Sequence, residues 1–406
     1  MSAWLTRRWY SSEPAPWFLR PLAALFGVIA ALRRRRQQTK QERLPLPVIV
    51  VGNIAVGGTG KTPFVIWLVQ RLREWGWKPG VVSRGYGGQS REWPQRVTAE
   101  SDPRQVGDEP VLIARRAACP IAAGPDRVAA ARLLIASGEV DIIVSDDGLQ
   151  HYLLARDLEI AVVDASRKLG NGRLLPAGPL REPPERLQEL GLVVVNGRGW
   201  TAPVKRQVDM RLFSIEVCAL NGNAARPISQ FAGQTVHAVA GIGNPARFFS
   251  MLSQHDIRLV MHPFPDHHPF TRGDLDFGDG LPVLMTEKDA VKCRAFAAAH
   301  HWVVPAEAGI SAADTVVVQE LVERLDNKRP DPSPPPSRGL KAHSLRMTQS
   351  YGQTAARHSG LPGHQGAAGM GRGQAGTAVQ GLAPGLPGAR RHSGDAGRRS
   401  ARIDRL

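Results

Sequence analysis

The chain has 406 residues, enough for two domains with cores of their own, and with 42% of them hydrophobic most of it is expected to be globular. Its formal charge is +16, but residues 329 to 406 hold 12 Lys and Arg against 3 Asp and Glu and so carry +9 of it. The body is only mildly basic, which argues against nucleic acid as its partner and confines that reading to the tail.

The three cysteines, Cys119, Cys218 and Cys293, stand far apart with no C-x-x-C spacing. They suit a reducing compartment and form neither a disulfide framework nor a zinc site. Near the N-terminus, "PAPWFLRPLAALFGVIAALRRRRQQTK" contains an apolar run of 12 residues, Pro21 to Leu32. A membrane-spanning helix needs about 20. The positive block Arg33 to Arg36 follows the run, and no small-residue cleavage site stands out, so a cleaved signal is not expected either. Trp17, Phe18, Leu19, Leu22, Leu25 and Phe26 beside four arginines suit a helix lying in a membrane interface, with arginines on anionic headgroups. The competing expectation is a helix packed on the protein's own core.

From Val48 onward, apolar β-rich runs alternate with helical stretches. Val48 to Val51 is a short buried strand, and "TPFVIWLVQRLREWG" is a helix ending near Gly76. "PGVVSRGYGG" is a strand with a glycine turn; "DEPVLIARRA" and "DRVAAARLLIASG" are helices. "VDIIVSDD", "LEIAVVDA" and "LGLVVVNG" are further strands. Continuous Val/Ile runs between helices predict a parallel sheet covered on both faces, a doubly wound α/β core. A second α/β pattern begins near residue 215 without a glycine-rich loop, and reads as a smaller domain. After "RPDPSPPPSRG" the composition turns to Gly, Pro, Arg, Gln and Ser, and a disordered tail is expected. The expected division is 1–45 for the N-terminal helix and basic segment, 46–215 for the core, 216–328 for the smaller domain and 329–406 for the tail.

Between the first strand and the first long helix lies "VGNIAVGGTGKTP". A phosphate-binding loop reads G-x-x-x-x-G-K-[ST], and here Ala55 takes the place of the first glycine. The parts the chemistry needs are nonetheless present. Gly57, Gly58, Thr59 and Gly60 offer backbone N–H groups to an anion at a helix N-terminus. Lys61 would reach the β- and γ-phosphates of a nucleotide, and Thr62 would hold Mg²⁺. Such a site also needs an acid on the metal at the end of another strand, which Asp146 and Asp147 supply after "VDIIV". Arg84, Arg127 and Arg181 are candidate contacts to phosphate or a lipid headgroup, since a guanidinium fork binds two oxygens; surface ion pairs would serve them equally. Ser83 and Tyr86 receive no role.

Other nucleotide-binding classes fit less well. The deviant loop of membrane-associated ATPases that position other proteins carries lysine before the two glycines, where Val56 stands here. The base-reading N-K-x-D of GTPases is only approximated by "TEKD" at Thr286 to Asp289. Small-molecule kinases are the better reading.

In order along the chain, "VGNIAVGGTGKTP", "SRGYGG", "VGDEP", "SDDGLQH", "LLPAGPLREP", "FPDHHPF" and "MTEKDAVKC" resemble the tetraacyldisaccharide 4'-kinase family, from about residue 15 to 325. The resemblance implies an ATP- and Mg²⁺-dependent kinase acting on the 4'-hydroxyl of a tetraacyldisaccharide 1-phosphate, a lipid A precursor. It also implies a membrane-associated protein at the cytoplasmic face of a Gram-negative inner membrane, and a P-loop NTPase-like fold whose smaller domain closes over the nucleotide. Within it, Asp108 of "VGDEP" is expected to be the base near the sugar hydroxyl, with Glu109 beside it. His267 of "FPDHH" is expected to be its partner, oriented by Asp266. Gln150 and His151 are expected to orient substrate or metal-bound water. The expected partners are the lipid A disaccharide precursor and the anionic membrane surface, with no obligate protein partner and no nucleic acid on the folded body. The rival expectation is a membrane-recruited nucleotide switch acting on a protein; Val56 and the acid-rich set Asp108, Asp146 and Asp147 count against it.

Overall fold

The computed structural model describes residues 3–11, 13–222 and 224–329. The tail expected from 329 onward thus lies outside the described residues except for Arg329. Two helices come first, α1 (Ala3–Trp9) and α2 (Leu19–Gln38). Then follow β1 (Val48–Gly52), α3 (Lys61–Glu74), β2 (Pro79–Ser83), β3 (Gln95–Val97), α4 (Pro103–Val106), α5 (Asp108–Ala117), β4 (Ile121–Ala123) and α6 (Arg127–Ile135). β5 (Ile142–Asp146), β6 (Leu158–Asp164), β7 (Leu192–Asn196) and β8 (Gln207–Phe213) continue the pattern. The second part contains β9 (Glu216–Ala219), β10 (Ala225–Pro227), β11 (Thr235–Ala240), α7 (Pro245–Ser253), β12 (Arg258–Pro263), β13 (Val283–Thr286), α8 (Glu287–Cys293) and β14 (His301–Val304). β15 (Glu307–Ile310) and α9 (Ala312–Glu323) follow.

The large sheet runs β15-β8-β7-β6-β1-β5-β2-β4-β3, parallel except at its two edge strands. β1, β2, β5 and β7 are buried at every position. With helices on both faces each side chain meets apolar neighbours, so alternation with polar residues gives way to continuous Val/Ile runs. Ile49 and Val51 pack with Phe64, Leu68, Val111 and Val318, whereas Val48 and Val50 pack on the other face with Leu134 and Leu187. β1 lies between β5 and β6, with Val51 opposite Asp146 and Ile160. The loop leaving β1 and the acids ending β5 therefore share one crevice at the carboxyl ends of the strands, where ligands of such sheets bind.

A smaller sheet, β10-β9-β14-β13-β11-β12, forms the second lobe. Phe231, Val236, Phe249 and Leu284 fill one face, and Val239, Phe270, Met285 and Cys293 the other. Asp289 of "TEKD", fully buried here, ties this lobe together. Its carboxylate accepts from Gly241 N at 2.8 Å, Thr286 Oγ1 at 2.7 Å and Lys292 Nζ at 3.0 Å. Asp289→Ala, which strands all three donors, is expected to destabilise the protein by about 3 kcal/mol, read from urea unfolding.

The smaller lobe ends earlier than the 216–328 division. "HWVVPAEAGI" is two strands in two sheets, broken around Pro305. β14 stays with the small sheet, while β15 pairs with β8, Glu307 facing Phe213. Val318, Leu321 and Val322 of α9 then pack in the core beside α3.

α2 touches the body through Leu19 and Ala23, which meet Leu174 and Ala177, and through Arg34, paired with Glu189, and Gln37, whose Oε1 accepts from Tyr152 N. Phe18, Leu22, Leu25, Ile29 and Leu32 recur at steps of three and four and are all more than half exposed; Trp17 is 78% exposed. Its apolar face is thus not spent on the protein's own core. Among the described residues no helix is long and apolar enough to cross a membrane.

Candidate active site

The loop after β1 turns into α3 through Gly60, whose φ of 93° is left-handed; a Cβ there would lie 2.4 Å from Asn196 Nδ2. Asn196 Nδ2 donates to Thr59 O at 2.9 Å and Asn53 Nδ2 to Gly57 O at 3.3 Å, so flanking strands hold the turn. Pro63 sits in the first turn of α3, where a missing N–H is harmless. Lys61 Nζ lies 3.5 Å from Asp147 Oδ1. Lys61 and Thr62 open the helix, as expected of a phosphate cradle.

Asp146 and Asp147 end up in different environments. Asp146 is 1% exposed, and neither of its carboxylate oxygens has a hydrogen-bond partner. Burial, with Glu109 and Asp147 nearby, pushes its carboxyl up to about 7. Burial raises Asp147 too, but Lys61, Arg181 and Arg127 outweigh it and hold that carboxyl far below the usual range. Arg181 Nη1 reaches both Asp147 oxygens at 3.3 Å. Two orphaned, buried oxygens beside a second carboxylate are a donor set for a hard divalent cation.

Asp108 begins α5 and is 6% exposed. Its Oδ1 accepts from Glu109 N at 2.9 Å, and its Oδ2 from His267 Nδ1 at 3.2 Å. Burial pushes the Asp108 carboxyl up, but the His267 hydrogen bond, with Lys288 and Lys292, brings it below its ordinary value. His267 is desolvated, which lowers its pKa, yet the Asp108 bond wins and raises it. His267 has φ of 62°, an uncommon conformation for a histidine, and its ring lies 4.8 Å from that of Tyr86. The smaller lobe thus brings its histidine to the large lobe's aspartate, 159 residues away in the chain.

Asp266 does not orient His267 directly. Its Oδ1 is 3.8 Å from His267 Nε2 and instead accepts from Lys288 Nζ at 3.1 Å. Glu109 likewise pairs with Lys288, at 3.1 Å.

The remaining candidates gather elsewhere. Arg84, Arg127, Arg181, Gln150 and His151 line a groove of about 810 Å³ whose other wall is α2, including Phe26, Gly27 and Val28. Arg127 is 4% exposed, its Nε unpartnered, and burial lowers its guanidinium to about 10. His151 Nε2 is also buried without a partner, and burial with Arg127 depresses it to about 4, so the ring is neutral. Gln150 Nε2 donates to Asn53 O at 3.0 Å and Glu182 Oε1 at 2.6 Å, which fixes the amide. The lining combines these polar groups with apolar residues and with Arg33 and Arg34 of α2.

Sequence reasoning missed a second contact between the lobes. Gly243 and Asn244 abut Gly58 of the loop; a Cβ on Gly243 would fall 2.3 Å from Gly58 N. Asn244 Nδ2 donates to Asp164 Oδ2 at 3.0 Å, Arg247 pairs with Asp164, and Arg167 Nη1 donates to Gly243 O at 2.7 Å. Tyr10 joins them, its hydroxyl donating to Val56 O at 3.2 Å beneath the Arg167 guanidinium. The only signal was the terminal Asp of "LEIAVVDA" at a strand end.

A family model described as Tetraacyldisaccharide-1-P 4'-kinase matches residues 15–326. The Tetraacyldisaccharide 4'-kinase of Alkalilimnicola ehrlichii is 55% identical over 310 residues, covering 76% of this chain and 92% of the relative. That of Nitrosococcus oceani is 47% identical over 334 residues, covering 81% and 97%. Among solved structures, LpxK from Aquifex aeolicus in complex with ATP superposes with a TM-score of 0.63 at 27% identity, covering 76% of this chain and 98% of that one. With a glycine loop opening a helix, an acid pair and a carboxylate–histidine pair on that fold, the chain belongs to the tetraacyldisaccharide-1-P 4'-kinase family.

Proposed function

We propose that this protein transfers the γ-phosphate of ATP to the 4'-hydroxyl of a tetraacyldisaccharide 1-phosphate at the cytoplasmic face of a Gram-negative inner membrane. The observation that carries the reading is the inter-lobe pair Asp108–His267, at 3.2 Å, whose neighbour Glu109 acts electrostatically on Asp146.

A sugar hydroxyl is a poor nucleophile, and a base must take its proton as transfer proceeds. His267 Nδ1 faces Asp108, so the ring nitrogen left for the substrate hydroxyl is Nε2, which Lys288 Nζ meets at 3.2 Å. On this reading His267, in place of the base expected at Asp108, takes the proton, while Asp108 holds Nδ1–H and stabilises the imidazolium that forms, as the acid does in a catalytic triad. Asp266 serves this pair mainly through Lys288, its charge also helping to raise His267. Lys61 neutralises charge on the phosphate being transferred while backbone N–H groups from Gly57 to Gly60 cradle its neighbours. Thr62, Asp146 and Asp147 would hold Mg²⁺, which when bound withdraws charge from the phosphate oxygens.

The groove against α2 suits an amphiphile, with Arg127 and Arg181 toward an anionic headgroup and apolar helix residues toward acyl chains. The exposed stripe of α2 lies in the membrane interface with Arg33, Arg35 and Arg36, exposed in the last turns, on anionic lipid. The double substitution Arg35→Gln/Arg36→Gln is expected to weaken binding to anionic vesicles about 30-fold, at about 1 kcal/mol per charge, and to leave neutral vesicles unaffected. Co-sedimentation measures both.

The direct test is label transfer from γ-labelled ATP to tetraacyldisaccharide 1-phosphate in mixed micelles with Mg²⁺. Labelled lipid is expected. ATP hydrolysis without labelled lipid, stimulated by a protein partner, would favour the nucleotide-switch reading instead.

A further inference from the structure

Lys288 lies in the first turn of α8, in the smaller lobe, yet its ammonium reaches three groups on separate segments. It is 3.1 Å from Glu109 Oε1 on α5, 3.1 Å from Asp266 Oδ1 and 3.2 Å from His267 Nε2, with its side chain 16% exposed. We propose that Lys288 is a positioning residue for this reaction, keeping His267 Nε2 a lone-pair acceptor and fixing the ring between the lobes until the substrate hydroxyl replaces the ammonium at that nitrogen. The inference rests on the preceding reading of His267.

An ammonium group has three hydrogens and accepts nothing. Three partners at hydrogen-bond distance use all of them, so Nε2 must present its lone pair. The ring proton is then on Nδ1, which donates to Asp108. Lysine and aspartate grip opposite ring nitrogens and select one tautomer, the one in which Nε2 can take a proton. A purely structural ion pair would be complete with Glu109 and Asp266; the third contact has no place in it. Because His267 has a left-handed backbone, its placement depends on such side-chain contacts.

The charges facing the ring are few and can be named. Asp108 and Glu109 come from α5, Asp266 from the preceding residue, and Lys288, Asp289 and Lys292 from α8, with Lys292 4.0 Å from Asp108. Tyr86 packs against the ring. Lys288 is the cation in contact with Nε2, and its charge opposes protonation of both His267 and Asp108. Loss of that charge raises both pKa values, and the catalytic form, which needs both groups unprotonated at the reacting atoms, then fails at higher pH.

The test compares kcat/KM against pH for wild type, Lys288→Met, Lys288→Arg and His267→Gln, with ¹⁵N NMR of the His267 ring in the free protein. Lys288→Met is expected to move the acidic limb upward by about one pH unit, and Lys288→Arg to return it. The NMR is expected to show the neutral ring, at pH above its titration, with its proton on Nδ1 and Nε2 unprotonated. A Lys288→Met profile lowered equally at every pH, with its limb unmoved, would make Lys288 a structural brace and overturn the proposal. Should Lys288→Met fail to fold, a neutral wild-type ring that carries its proton on Nε2 overturns it independently. A His267→Gln enzyme that keeps the wild-type limb would instead sink the reading of His267 as proton acceptor, and the role of Lys288 with it.

Discussion

Asp108→Ala is expected to lower kcat for lipid phosphorylation by about 10²–10⁴-fold while leaving ATP affinity close to wild type. The separation follows from where the residue stands. Asp108 opens α5 and meets His267 from the other lobe, whereas the proposed phosphate cradle lies on the loop between β1 and α3, braced by Asn53 and Asn196. Without the carboxylate, Nδ1 loses its acceptor, the ring is free to take the wrong tautomer, and the forming imidazolium loses its counter-charge. The pH profile carries a further sign. The Asp108 bond raises His267, so any residual acidic limb moves down in the variant, not up. Steady-state kinetics with nucleotide titration checks both statements. A loss confined to ATP affinity would make Asp108 a nucleotide-binding residue.

The second large effect is expected from Lys61→Ala, a fall of about 10³-fold in kcat with little change in thermal stability. Lys61 stands at the mouth of the cradle, 3.5 Å from Asp147. Its removal does not strand a buried charge, because Asp147 keeps Arg181 at 3.3 Å. The fold therefore loses little, while the phosphate in flight loses the cation aimed at it. A calorimetric melt beside the kinetic assay separates the two, and a near-normal kcat would end the assignment of this loop as the phosphate site.

The large sheet was legible because its strands are buried on both faces and therefore written as uninterrupted Val/Ile runs. β8, "QVDMRLF", escaped notice because it alternates buried with exposed residues and has a polar start. β15 escaped because Pro305 divides a run that reads as continuous. The site divides along similar lines. The phosphate loop and the acid pair each occupy one stretch of chain, so spacing alone declares them. Lys288 is 179 residues from Glu109 and 22 from Asp266, and its motif superficially resembles a base-reading signature. Its partners become visible only when the lobes meet. The same holds for Arg167 and Asn244, whose partners Gly243 and Asp164 lie 76 and 80 residues away.

The return of β15 to the edge of the large sheet makes the smaller lobe an insertion. Phe213, the last residue before it, faces Glu307, the first strand residue after it, as neighbours in an antiparallel pair. Residues 214–306 could therefore be excised and the gap closed by a two-residue hairpin turn, without moving either strand. The remaining sheet would keep Lys61, Thr62, Asp146 and Asp147 but lose His267 and Lys288. Such a minimal protein should retain a grip on nucleotide and have no means of activating an alcohol, which places affinity for the donor and chemistry on the acceptor in separately inheritable pieces of one chain.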